Sequence, residues 1–265
     1  MTSWLTALRG GLARKFTEDS GAAEPLPISH GDVCADVDAI LDAFGLQGIT
    51  RFCRQVHWDA ETERALLADA AEPGLKLENV AAHSWHVADA ALLLAGQFFG
   101  LDARRCVLLA VLHDKMELYT GDYDPVGPDG QGSGTHAFNQ AARDRKEAAE
   151  LDAMERYLIR LRPGARNPQR RLLTELIGGR TEEARFVRAV DKLQALAFVL
   201  AKKDGVMSDA HIRFTLRYSG KAKASFPGLG GHHRELVSRL LKAVAKARNV
   251  PLPCIESRFR DLLTS

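Results

Sequence analysis

No part of this 265-residue chain alternates apolar and polar residues for long enough to make a β-strand, and that confines it to packing helices on helices. Apolar residues instead recur at helical spacing. Val33, Val37, Ile40, Leu41 and Phe44 do so over residues 31–46, and Ile49, Phe52 and Val56 continue the pattern to 58. Pro73 and Gly74 interrupt it. A helix is predicted from about Val80 to Phe99, closed by Gly100, and another from Asp102, a good N-cap, to about Leu118. Further helices are predicted over 137–161, 168–177, 181–203, 208–217 and 231–248. Residues 121–135, dense in Gly and Pro, read as a mobile loop. No internal repeat is visible. The expectation is an all-α helical bundle with an N-terminal arm and linker over 1–30, a main domain over 31–225 and a basic helical extension over 226–265.

The composition suits a soluble globular chain, with 46% hydrophobic and 26% charged residues. The net charge of +2 is unevenly spread. Residues 201–265 hold 13 Lys or Arg against 5 Asp or Glu, a net of +8 that leaves −6 for the first 200. A basic end can hold an anion or an acidic partner, but no nucleic-acid reader motif accompanies it, so a nucleic-acid partner is not expected. Cys34, Cys53, Cys106 and Cys254 are scattered without a C-x-x-C pair, which argues against a disulfide framework or zinc thiolates and fits a reducing, cytoplasmic setting. No apolar run reaches the length of a membrane span. The opening "MTSWLTALRGGLARKF" lacks the apolar core of a secretory signal and reads as an arm or docking helix.

Chemistry concentrates in "LAVLHDKMELYTGDYDPVG", residues 109–127. An apolar helix there ends in His113 and Asp114, with Glu117 one turn on and Asp122 after a glycine. Residues three and four apart share a helix face, so Glu117 is expected beside the His-Asp pair. Asp191 sits among Val187, Val190, Leu193 and Phe198, where a carboxylate costs several kcal/mol (about 2–7 for a polar group) unless paired or ligated. His83 opens the helix "HSWHVADAALLLA". Imidazoles and carboxylates together suit a first-row divalent ion.

Taken in order, a His, a His-Asp pair and a distant Asp on helices resemble the HD-domain metal-dependent phosphohydrolases. "LENVAAHSW", "LHDKMELYTGD" and "AVDKLQAL" resemble the bacterial 5'-deoxynucleotidase branch, over roughly residues 45–220. The resemblance implies an HD-domain bundle holding one divalent ion (Co, Mn, Ni, Fe, Zn or Mg) on His83, His113, Asp114 and Asp191. It also implies a phosphate-binding Arg, matched best by Arg51 in "ITRF", with Arg54 as the alternative and Lys76 as a second cation. Arg51 precedes His83 by 32 residues, which implies an insertion over 53–72.

The implied reaction removes the 5'-phosphate of a small-molecule (deoxy)nucleoside monophosphate. Glu117 would position the attacking water or shuttle its proton. Asp122 would contact the sugar or protonate the leaving oxygen. Arg51 and Lys76 would neutralise the phosphate, and the 123–135 loop would close over it. Other readings on the same scaffold are a triphosphohydrolase, a di-iron oxygenase (for which His136 alone between Asp114 and Asp191 is one His too few) and a non-catalytic sensor. Relatives of this kind commonly dimerise, and "LVSRLLKAVAKA" offers an apolar helical surface for a homodimer.

Overall fold

In the computed structural model, which describes residues 29–51, 57 and 78–263, every regular element is helical and no strand occurs among the described residues. The chain divides into two compact units, Met1–Cys34 and Ala35–Ser265. Of the first, the described part is a capping box: Ser29 Oγ accepts from Asp32 N at 3.1 Å, and the Asp32 carboxylate accepts from Ser29 N at 3.3 Å. That box opens helix α1, His30–Ala43, which a 3₁₀ turn at Phe44–Gly48 follows. The remaining helices are α2 (Val80–Ala95), α3 (Ala103–Leu112), α4 (Glu117–Thr120), α5 (Gln140–Arg160), α6 (Pro163–Gly178) and α7 (Glu182–Lys203). After them come α8 (Asp209–Ser219), α9 (Lys221–Ser225), a 3₁₀ turn at Pro227–Leu229, α10 (Gly230–Ala247), α11 (Leu252–Arg258) and α12 (Arg260–Leu263). Lys76, Arg54, Phe52, Trp58 and the arm at 1–28 lie outside the described residues.

Side-chain caps set where the helices start. Asn79, Asp102, Asn139, Thr181 and Ser208 accept from backbone N–H groups three residues on, at 2.9–3.2 Å. Helix α7 has Glu182 and Glu183 in its first turn and Lys202 and Lys203 in its last, which suits the helix dipole at both ends. It is also the hub of the packing. Its first half buries Phe186, Val187, Val190 and Leu193 against Val87 and Ala91 of α2 and Cys106 and Leu109 of α3. Its second half buries Leu196 and Val199 against α8 and α10. A third cluster joins Met154, Tyr157 and Leu158 of α5 to Leu173 of α6 and to Met116. Each fully buried Leu or Phe contributes about 1.5–3 kcal/mol, enough together to carry a few polar groups at the centre.

Four features differ from the sequence expectation. The helix expected to reach Leu118 ends at Leu112. His113 turns its Nδ1 to the Ala110 carbonyl at 2.7 Å, and Lys115 and Glu117 donate to carbonyls three residues back, so the chain tightens before α4 begins. Helix α6 starts at Pro163 rather than 168, because proline is well suited to the first turn. The glycine-rich loop is a series of fixed turns. Asp124 accepts from Val126 N and Gly127 N at 2.9 and 3.0 Å, and Asp129 accepts from Gln131, Gly132 and Ser133 N. The fourth difference concerns the surface offered for a homodimer. Val237, Leu240, Leu241, Val244 and Ala245 of α10 are all buried in the chain's own core, so that face is not free for a second copy. None of the helices among the described residues is long and apolar enough to cross a membrane.

At Gly205, after α7, φ is +84° and an added Cβ would lie 2.2–2.5 Å from the backbone of Ala243 and Val244. Gly205→Ala is therefore expected to destabilise the fold by about 2 kcal/mol or more, from left-handed strain and backbone overlap together. Gly48→Ala, with nothing within 4 Å of its Cβ, should be near neutral. Equal urea midpoints for the two variants would contradict this account.

Candidate metal centre

Residues 49–51 and 78–80 run antiparallel for one bridge, Thr50 against Asn79. Arg51 N donates to Glu78 O at 2.8 Å and Val80 N to Ile49 O at 3.0 Å. This short pairing joins the first turn of α2 to Arg51, across the 32 residues that separate Arg51 from His83 in the sequence. The guanidinium then pairs with Glu78 at 3.0 Å and stands 3.9 Å from Asp191 Oδ1.

His83 comes from the first turn of α2, His113 and Asp114 from the tightened end of α3, and Asp191 from the middle of α7. Their donor atoms converge. His83 Nε2 lies 3.0 Å from His113 Nε2, 3.3 Å from Asp114 Oδ2 and 3.2 Å from Asp191 Oδ1. His113 Nε2 is 3.1 Å from Asp114 Oδ2. His83, His113 and Asp191 each present an atom within 4.8 Å of the other two. His86, the other histidine of α2, turns away: its Nδ1 bonds Glu78 Oε1 at 2.7 Å.

The outer hydrogen bonds decide what the inner atoms can do. His83 Nδ1 faces Gln194 Oε1 at 2.8 Å, and Gln194 Nε2 donates to Glu78 Oε1 at 2.7 Å. That second bond fixes the amide, so its oxygen faces the imidazole and Nδ1 must donate. The Ala110 carbonyl makes the same demand of His113 Nδ1. In a neutral ring the other nitrogen is then an acceptor. Two imidazole lone pairs and the Asp191 carboxylate are thus aimed at one point, with Asp114 Oδ2 beside both rings. Two ligands about 2.1–2.2 Å from an ion and at right angles are about 3 Å apart, which is the spacing found. These residues fit a divalent cation.

The electrostatics agree. Burial works against a charged His83, as does Arg51, but Asp114, Asp191 and Glu78 outweigh both and raise its pKa to about 10. The pocket calls for positive charge, and an ion meets that call as a proton does. Burial also opposes the Glu78 carboxylate, yet His83, Arg51 and His86 hold it down to about 2. At Glu117 burial comes first, then Asp114 and Asp122, and together they push its carboxyl well above the usual range against the pull of Lys146 and Arg51.

Arg51, His113, Asp114, Glu117, Asp122 and Asp191 all line one cavity of about 540 Å³. Glu117 is buried, and its Oε2 has no hydrogen-bond partner. Lys76 falls outside the described residues. Several cavity or supporting residues were not singled out from the sequence: Glu78, Gln194, Arg143, Lys146, Lys192 and Lys221. Gln194 carried a usable signal, since it lies three residues past Asp191 on the same face of α7. Glu78 precedes the Asn79 cap and could have been suspected from "LENV". The four cations could not, because nothing local distinguishes them from a solvated helix face.

Gln194→Ala removes the acceptor that holds His83 Nδ1 and the donor that steadies Glu78. Metal affinity should fall about 10- to 100-fold while the fold is kept. Isothermal titration with Mn or Co, beside a far-UV spectrum, measures both; unchanged affinity would remove the positioning role.

The HD domain family profile matches residues 70–228. The curated 5'-deoxynucleotidase HDDC2 of Xenopus laevis is 29% identical over 179 residues, covering 66% of this chain and 75% of that protein. A solved structure described as a predicted metal-dependent phosphohydrolase, from Magnetospirillum magnetotacticum MS-1, superposes with a TM-score of 0.58 at 24% identity, over 83% of this chain and 97% of the other; that likeness concerns the fold. With the profile spanning well over half its length, the chain belongs to the HD-domain family of metal-dependent phosphohydrolases.

Proposed function

We propose that the chain hydrolyses the 5'-phosphate of a (deoxy)nucleoside monophosphate, giving nucleoside and inorganic phosphate, with one divalent ion on His83, His113, Asp114 and Asp191. The observation that carries this reading is the gathering of His113 Nε2 and two carboxylates, Asp114 and Asp191, each 3.0–3.3 Å from His83 Nε2, with a guanidinium beside them. The named activity of the Xenopus relative supports the substrate class. An ion bound there would supply an activated water and offset phosphate charge.

The chain's own residues do the rest. Arg51, held by Glu78, presents a planar fork that a phosphate can accept in two bonds. Its burial means the charge is poorly screened and acts strongly at short range. Glu117 lines the same cavity and keeps one buried oxygen without a partner, so its carboxylate can accept a proton from the attacking water. Asp122 stands across from it on the loop side, near enough to raise its pKa, and serves the leaving oxygen or the sugar.

Two variants test the assignment. Glu117→Gln keeps the shape and removes the base, so kcat should fall about 10²- to 10⁴-fold with metal content unchanged. Full turnover at full metal occupancy would move the proton chemistry elsewhere, with Asp122 the next residue to try. Arg51→Ala should raise KM and lower kcat for a nucleoside 5'-monophosphate while the ion stays bound; a silent variant would reject Arg51 as the phosphate ligand.

A further inference from the structure

One wall of the cavity holds more positive charge than a single phosphate beside Arg51 requires. Arg143 comes from α5, Lys192 from α7 and Lys221 from α9, so three separate elements deliver cations to one cavity. The two lysines gather around two aromatic rings. Lys192 Nζ lies 4.6 Å and Lys221 Nζ 5.7 Å from the centre of the Tyr218 ring. Lys221 Nζ is also 4.7 Å from the Phe138 ring centre, with the Arg217 guanidinium 4.3 Å from that ring.

The charges of Lys221 and Arg143 are poorly answered by the protein. Lys221 donates to the Ala137 carbonyl. Arg143 donates to Gln140 Oε1 at 2.8–3.1 Å and reaches the same Ala137 carbonyl at 3.5 Å. These acceptors are neutral. Lys192 pairs at 2.5 Å with Asp191, a carboxylate that also faces the metal cluster. The neighbouring Glu150 is engaged by Lys146 at 2.6 Å, and among the described residues no carboxylate forms an ion pair with Lys221 or Arg143. The mutual repulsion is visible in Lys221: burial first, then Lys192, Arg143 and Arg217, bring its pKa down to about 8. A half-buried group of like charges costs stability unless something negative joins it.

Resting on the phosphomonoesterase reading above, we propose that this wall is a second anion subsite and that the preferred substrate carries a second phosphate group, held by Lys221, Arg143 and Lys192 while the first reacts beside Arg51. Position on one continuous cavity makes both phosphates part of one ligand. Tyr218 lines the same cavity and gives a nucleoside an aromatic face beside these cations. The second phosphate sits either on the sugar, as in a nucleoside 3',5'-bisphosphate, where water attacks the 5'-phosphorus and leaves nucleoside 3'-phosphate and inorganic phosphate, or on the first phosphate, as in a 5'-diphosphate, where the same attack displaces the 5'-oxygen and leaves nucleoside and pyrophosphate.

The test compares kcat/KM for a nucleoside 5'-monophosphate, the matching 3',5'-bisphosphate and the 5'-diphosphate, using full-length protein loaded with Mn. At least a tenfold preference for one of the two doubly phosphorylated substrates is expected, mostly through KM; which one is preferred locates the second phosphate. Lys221→Met with Arg143→Gln should cut that preference at least tenfold. Equal kcat/KM for all three substrates, or a preference that survives the double variant, overturns the subsite. Arg143 is exposed, so Arg143→Gln alone gives the same comparison if the double variant does not fold. Should none of the three be hydrolysed, the phosphomonoesterase reading fails. Calorimetric binding of the 3',5'-bisphosphate and the 5'-diphosphate then decides the subsite separately. A tenfold loss in the variant supports it, and equal affinity in wild type and variant overturns it.

Discussion

Two imidazole lone pairs and the Asp191 carboxylate aimed at one point, with Asp114 beside both rings, form the constraint on which the rest of this molecule depends. Such a set of acceptors repels itself and is tolerable only around a cation. Everything near it serves either to hold the acceptors there or to limit the cost. The hydrophobic hub on α7 supplies the rigidity, because Asp191 and Gln194 project from a helix whose other faces are locked in two cores. The Nδ1 partners then turn each ring so that its lone pair, and not its proton, faces inward.

The support is a chain rather than a set of separate contacts. Arg51 holds Glu78, Glu78 holds Gln194, and Gln194 holds His83. A phosphate that engages Arg51 is therefore mechanically joined to the imidazole across three hydrogen-bonded side chains. In a medium of low polarity such linked bonds strengthen one another, and they are costly to leave partly made. That keeps Arg51 and the His83 imidazole in fixed relation.

How much of this could be read from the sequence depends on whether the signal was local. His83, His113, Asp114, Glu117 and Asp191 stand in short helical stretches whose periodicity gives them a face, and all of them come to one place. Arg51 was marked by a local match, yet its position beside Asp191 depends on a single antiparallel bridge that leaves no alternating pattern. Gln194 and Glu78 look like ordinary surface polar residues until the imidazole they serve is placed. The cations of α5, α7 and α9 are invisible for the same reason: only tertiary packing brings them together. The glycine-rich loop misled in the other direction. Its glycines suggested mobility, but Asp124 and Asp129 use the permitted backbone to close turns, and at Gly132 a Cβ would meet the Pro125 carbonyl at 2.6 Å. The break after Leu112 was hidden because His113 itself takes the carbonyl that a continuing helix would use.

The bridge between Thr50 and Asn79 has a consequence for how such a chain can change over generations. It ties the two ends of an intervening stretch at a fixed separation, with Arg51 on one end and the helix that carries His83 on the other. Closing a longer loop costs little more entropy than closing a short one, roughly 0.6 kcal/mol per doubling. Residues can therefore be added or lost between those ends without moving Arg51 or the start of the helix that carries His83.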